Sequence, residues 1–290
     1  MKRILMAAAA ALGLIAGQAQ AQGFSDTWIG LRDGPYQSNV GGAPNTARDV
    51  NKMVVSLGHF DIWDYGSNFF NVDILFSDGN EPANGTLNNG STEFYAVYRA
   101  QLSPDKMFGL NTKFGPISGI NFEIGGDAEA ENTAFAPAKK LLVAGPNIHF
   151  DLPPAGFLNV GIHVSKEWNH NGFSSCPSTC GKAGDVSFSA APEFEFVWLY
   201  PLGFTGLPLD FRGFMNVVLP KGKDGFGGNT YTEILAYPRL NLDLGKMLFG
   251  KPHKPDLYLA VELWGHKFGS SGQTPGSTEI SPQLGIQVHF

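Results

Sequence analysis

Beyond residue 21 the chain has no apolar run approaching the ~20 residues that a membrane-crossing helix needs, so a helical span of a bilayer is excluded. Charge is also thin. Asp, Glu, Lys and Arg make up 16% of the residues, where a typical domain carries about 25%, and the net charge is only −6. No basic cluster stands out, which removes nucleic acid from the partners to consider. Cysteine is limited to Cys176 and Cys180. A C-x-x-x-C pair lacks two of the ligands a structural zinc site needs, although His170 is near. In an exported chain it therefore reads as a disulfide stapling one loop. Catalytic signatures are scarce too: there is no G-x-S-x-G elbow and no strand–G-x-G-x-x-G–helix arrangement for a nucleotide cofactor.

The first 21 residues are of a different kind. Met1-Lys2-Arg3 is basic, Ile4 to Ala16 is apolar or glycine, and Ala19-Gln20-Ala21 has the A-x-A form. This predicts a signal peptide over 1–21, cleaved before Gln22, rather than an N-terminal anchor, because the apolar run is too short to span a bilayer stably. Residues 22–290 then form one exported domain.

What is abundant is glycine and phenylalanine, 37 and 23 residues, set in alternating sequence of period two. At the C-terminal end, Leu284, Ile286, Val288 and Phe290 alternate with Gly285, Gln287 and His289. Twelve such segments fall at 27–36, 50–62, 69–77, 93–102, 119–127, 141–150, 157–168, 188–199, 209–219, 232–242, 256–264 and 284–290. The second is ambiguous in phase, and a bulge near Gly58 is one way to read it; Gly125-Gly126 reads as another turn or bulge.

On nearly every segment one face is large and apolar and the other carries charge. Arg32, Arg99, Arg212 and Arg239 stand against Asp73, Glu123, Glu193, Glu195, Asp210, Glu233 and Glu262. A soluble β-sandwich alternates as well, but it would leave those charges in bulk water, whereas a closed barrel confines both signs where they must neutralise each other. With a periplasmic N-terminus, the connections 37–49, 78–92, 128–138, 169–185, 220–231 and 265–279 lie outside the cell, and these are the long ones. On the other side 64–68 and 151–155 are tight, with 103–116 and 243–255 as exceptions. The fold expected is all-β, a 12-stranded antiparallel transmembrane β-barrel of the bacterial outer membrane.

Certain stretches also resemble a known family. Phe24-Ser25-Asp26-Thr27-Trp28-Ile29-Gly30, Ser56-Leu57-Gly58-His59-Phe60-Asp61, Tyr65-Gly66-Ser67-Asn68-Phe69-Phe70-Asn71-Val72-Asp73 and Ser91-Thr92-Glu93-Phe94-Tyr95-Ala96-Val97-Tyr98-Arg99 look like the Tsx-like outer-membrane channel family, in particular its "outer envelope protein" branch. The resemblance covers 24–102 most strongly. It implies a monomeric twelve-stranded barrel whose narrow lumen passes nucleosides, held by aromatic and ionisable side chains. The terminal strand ending in Phe290 is similar to the signal that outer-membrane barrels present to the barrel-assembly machinery.

The candidate substrate residues are those phased inward: Tyr95, Arg99, Glu123, Glu193, Glu195, Arg212, Phe214, Glu233, Tyr237, Arg239, Tyr258 and Glu262. A nucleoside has flat apolar ring faces and a polar sugar, so aromatic surfaces beside hydrogen-bonding groups suit it. The same residue types would also fill and neutralise a barrel with no substrate. The expected function is passive diffusion of small polar solutes; the alternative is a structural, loop-displaying barrel that does not conduct. A more remote reading is a phospholipase-like hydrolase built on His163-Val164-Ser165. However, that face also holds Asn159 and Glu167 and so points to the lumen, away from lipid. No enzyme activity, cofactor or metal site is expected. His149, His163 and His289 lie inward on different strands, and 246–254 reads as a solvated basic loop. The expected partners are outer-membrane lipid and the small solute.

Overall fold

A computed structural model describes residues 23–39, 48–85, 89–172 and 184–290. The signal peptide expected over 1–21 and the pair Cys176 and Cys180 lie outside the described residues. The described residues form thirteen strands: β1 (Ser25–Asn39), β2 (Arg48–Trp63), β3 (Gly66–Ser77), β4 (Thr92–Leu102), β5 (Ile117–Glu131), β6 (Ala138–Leu152), β7 (Gly156–His170), β8 (Asp185–Ser187), β9 (Ala191–Pro201), β10 (Leu209–Val218), β11 (Glu233–Asp243), β12 (Asp256–Gly265) and β13 (Glu279–His289). Every neighbour pair is antiparallel. β6 pairs with β7 and β13 with β1, so twelve strands close into a ring. The thirteenth, β8, is three residues long and extends the far end of β7 alone.

Each of the twelve alternating segments coincides with a barrel strand, but most strands run further than the alternation suggested. β1, β5, β6 and β7 have 15 residues and β2 has 16. Pairing with neighbours continues past the point where the hydrophobic pattern fades, since ladder hydrogen bonds do not depend on what the side chains face. The eighth barrel strand is shorter at its start than the expected 188–199. Phe188 belongs to the connection, its N–H donating to the Glu167 carbonyl.

The burial pattern is inverted relative to a water-soluble protein. On the outer face Leu142, Val164, Leu259 and Ile280 are each more than half exposed, whereas on the inner face Glu123, Glu193, Asn241 and Asp256 are at most 1% exposed. β13 shows the pattern without interruption: Ile280, Leu284, Ile286 and Val288 face out, and Glu279, Ser281, Gln283, Gln287 and His289 are buried within. The connections at one end are long. At the other end two are tight turns, and two carry short helices, α1 (Pro104–Phe108) and α2 (Leu244–Phe249). Ser103 and Asp243 cap these helices, Ser103 accepting from the N–H of Lys106 and Asp243 from the N–H of Lys246, while Gly109 and Gly250 end them in the left-handed region at φ 66.

Two glycine readings need correcting. The register of β1 against β2 is continuous from Ser25–Asp61 to Gly34–Lys52 and passes through Gly58 unbroken; the irregularity lies between Gly34 and Gln37. Gly58 is there for space. A Cβ at that position would fall 2.1 Å from the indole of Trp28, its cross-strand partner. Likewise Gly125 sits in unbroken register opposite Arg99, where a Cβ would meet the Arg99 Cδ at 2.5 Å. Neither is a bulge or a turn. Both make room for a large inward side chain to lie along the wall.

Gly58→Val should therefore overpack the wall and lower folding stability by about 1–3 kcal/mol. Adding Trp28→Ala should recover part of that loss. Urea titration of the folded barrel, read by its mobility on unheated gels, measures both.

Candidate functional site: the barrel lumen

All twelve residues expected to face inward line one continuous cavity of about 1620 Å³. Its lining reaches Lys113, Pro252 and Phe290 at the short-turn end, and Glu81, Asp224 and Phe268 at the long-connection end. The interior has two unlike halves.

The first half is built by β4, β5, β6, β7 and β9 and is centred on Arg99. Its Nη1 lies 2.7 Å from Asp127, and its Nε lies 3.2 Å from Glu195 and 3.6 Å from Glu123. Asp127 also accepts from the Tyr95 hydroxyl at 2.9 Å, and Glu123 from Gln101 at 2.8 Å and Asn147 at 2.7 Å. Because β4 and β9 are not neighbours, the Arg99–Glu195 pair spans the inner faces of the strands between them. Glu123, Asn147 and His163 are sealed beneath it, at most 2% exposed. Four carboxylates, from Glu123, Asp127, Glu193 and Glu195, share this region with the Arg99 guanidinium, and the Lys139 ammonium lies near enough to act on Asp127 and Glu193. Glu193 makes no ion pair among the described residues, and its Oε2 has no hydrogen-bond partner.

The opposite half, on β1 and β10 to β13, carries guanidinium groups and rings. Arg32 is paired with Asp73 at 2.8 Å, and Arg212 with Asp210. Arg239 has no carboxylate within 4.0 Å among the described residues. Its Nε donates to Asn241 at 2.9 Å and its Nη2 to Gln287 at 3.0 Å, and its guanidinium lies 3.9 Å above the Tyr258 ring. Tyr258 in turn rests on Gly285, where a Cβ would fall 2.1 Å from the ring. Phe214 and Tyr237 stack at 5.8 Å with 25° between their planes, and the Tyr237 hydroxyl donates to Gln283 at 2.8 Å. This half offers flat faces with amide and guanidinium groups beside them.

Two of these lumen residues are engaged by neighbouring side chains. Glu233 accepts from Trp264 Nε1 at 2.9 Å and from the Phe268 N–H at 3.2 Å, and it pairs with Lys221 at 3.3 Å. Lys221 also pairs with Glu167 at 2.6 Å, and Lys267 pairs with Glu279. These contacts tie the long connections to the rim. Glu262 accepts from Gln283 at 3.4 Å. His163 and Ser165 are not joined as base and nucleophile: Ser165 donates to the Ala191 carbonyl, and His163 faces Glu123 at 3.6 Å.

At the short-turn end the connection read as a solvated basic loop folds back on the barrel. His253 Nδ1 lies 2.9 Å from Asp256 and 3.7 Å from Asp243. The hydrogen bond with Asp256, reinforced by the charge of both carboxylates, holds His253 above the usual imidazole range. His289, inward as expected, lies 2.8 Å from Asp26 and 3.7 Å from Asp256. Sequence reading missed Asp127, Lys221 and His253 as site residues. Asp127 continues the parity of Asn121 and Glu123, which was the available signal.

No family model and no curated protein matches the chain. Among solved structures it is similar to the translocator domain of the autotransporter NalP from Neisseria meningitidis, at 11% identity over 99% of this chain and 96% of that one, with a TM-score of 0.44. It is also similar to an outer membrane channel from Pseudomonas putida F1, at 10% identity over 94% and 98% with a TM-score of 0.48. A third is the β-domain of the Bordetella autotransporter BrkA, at 12% identity over 92% and 99% with a TM-score of 0.40. The fold rests on the strand pairing described above.

Arg99→Met should remove the guanidinium that Asp127 and Glu195 share inside the wall and cost about 3–5 kcal/mol. Arg239→Met, with no carboxylate partner, should cost only about 1 kcal/mol. Denaturant titration of the two variants side by side checks the contrast. Equal midpoints would show that the Arg99 bridge does not hold the first half together.

Proposed function

We propose that the protein is an outer-membrane channel through which small polar solutes, nucleosides among them, diffuse passively. The observation that carries this reading is the continuous cavity with lining residues from both ends of a closed barrel. The apolar outer face fits lipid, and strands of 10 to 16 residues suffice to cross a bilayer at a tilt. The partners are then outer-membrane lipid on the outside and the solute within.

The ring-bearing half of the lumen supports the choice of solute. Tyr258 under Arg239 and Tyr237 against Phe214 offer flat surfaces, and Gln283 and Gln287 supply donors and acceptors at their edges. A base needs such a surface to stack on, and a ribose needs such edges. The acidic half across the lumen repels anions, which favours neutral solutes over phosphorylated ones. The resemblance of 24–102 to the Tsx-like channels points the same way.

Single-channel recording in a planar bilayer tests this. Small conductance steps should appear, reduced by adenosine or thymidine and unaffected by glucose. Tyr258→Ala should weaken the nucleoside block by about 1–3 kcal/mol of binding energy. A barrel that inserts without conducting would overturn the proposal and leave the loop-displaying structural role.

A further inference from the structure

We infer that the short-turn mouth of the barrel contains a binding site for one divalent transition-metal cation of the zinc type, formed by Asp243, His253 and Asp256. The strand pairing assembles it. Asp243 is the last residue of β11 and Asp256 the first of β12, directly paired across the ladder, and His253 belongs to the connection between them. One potential ligand atom from each residue lies within 4.8 Å of the other two.

The carboxylates are held in place by other contacts. Asp243 Oδ1 accepts from the N–H of Lys246 at 2.6 Å and of His253 at 2.9 Å, which leaves Oδ2 toward the imidazole. Asp256 is 1% exposed, with Oδ2 beside His253, yet its Oδ1 has no hydrogen-bond partner among the described residues. A buried carboxylate oxygen left without a partner carries a large desolvation penalty, which a coordinated cation removes. A simple His253–Asp256 ion pair does not account for it.

The donor set indicates the metal. Two carboxylates with one imidazole match a borderline divalent cation better than a hard one such as Mg²⁺, which prefers oxygen and water. Three protein ligands leave one position open. His289 lies beside the cluster, its Nε2 3.7 Å from Asp256 and 2.6 Å from Gln287 and its Nδ1 held by Asp26 at 2.8 Å. His253 is the accessible member, its side chain 44% exposed and lining the cavity, so a cation reaches the site from the lumen. Arg212 opposes cation binding electrostatically, but Asp210 already pairs with it.

The test uses the protein purified in detergent, stripped with chelator and titrated with ZnCl₂ by calorimetry, with CoCl₂ as the spectroscopic probe. One equivalent should bind, with a Co²⁺ visible spectrum of tetrahedral or five-coordinate type. His253→Ala and Asp256→Asn should each weaken binding by more than about tenfold. His170→Ala, at the other end of the barrel, should leave it unchanged. If Asp256→Asn does not fold, His253→Ala decides, because that side chain is half exposed on a connection. Absence of saturable binding, or equal affinity in all variants, would overturn the assignment. The readout is binding, so it stands or falls separately from conductance.

Discussion

Where β13 runs beside β1, from Trp28–His289 to Asp33–Leu284, the sheet loses its last free edge. In hydrocarbon an open edge would leave a row of N–H and C=O groups with no partner, each costing several kcal/mol. Closure also turns a period of two into a division between outside and inside. A slip of one residue anywhere in the ring would exchange the apolar and charged faces of that strand. The pairs in which a large inward side chain lies on an opposing glycine, Trp28 on Gly58, Arg99 on Gly125 and Tyr258 on Gly285, fit only one register. They specify the pairing.

Charge divides the interior it encloses. On one side the Arg99 bridge lies over a sealed polar layer of Glu123, Asn147 and His163, and works as a structural floor. On the other side Arg239 and Tyr258 form a surface whose guanidinium has no carboxylate within 4.0 Å among the described residues. Buried ion pairs are weak evidence of stability in general, since hydrophobic replacements often serve as well. Here their value is geometric: the ion pairs fix the positions of Arg99, Glu123, Asp127 and Glu195 on the inner wall.

The fold was legible in the sequence because two solvents impose opposite demands on alternate residues, as in the unbroken run from Ile280 to Val288. The inward set was legible for the same reason, once each strand's parity was fixed. Pairings across the lumen were not. Nothing in local sequence connects Arg99 to Glu195, which are 96 residues apart, or Lys221 to Glu167, 54 apart. Glycine was misread at Gly58 and Gly125 because its local meaning, a turn or bulge, is indistinguishable in sequence from its steric meaning, space for a neighbour. The cluster at His253 was hidden by the basic residues around it, which obscured the carboxylates at the two ends of the hairpin.

Glu233 ties together two connections that are distant in sequence. Lys221 reaches it from the β10–β11 connection, and the Phe268 N–H and the Trp264 indole reach it from the β12–β13 side. One carboxylate thus fastens two flaps of the same mouth. Neither flap can lift by itself without leaving part of that carboxylate's charge unmatched in a confined space. A change in either connection therefore bears on the other, because both draw on the same carboxylate.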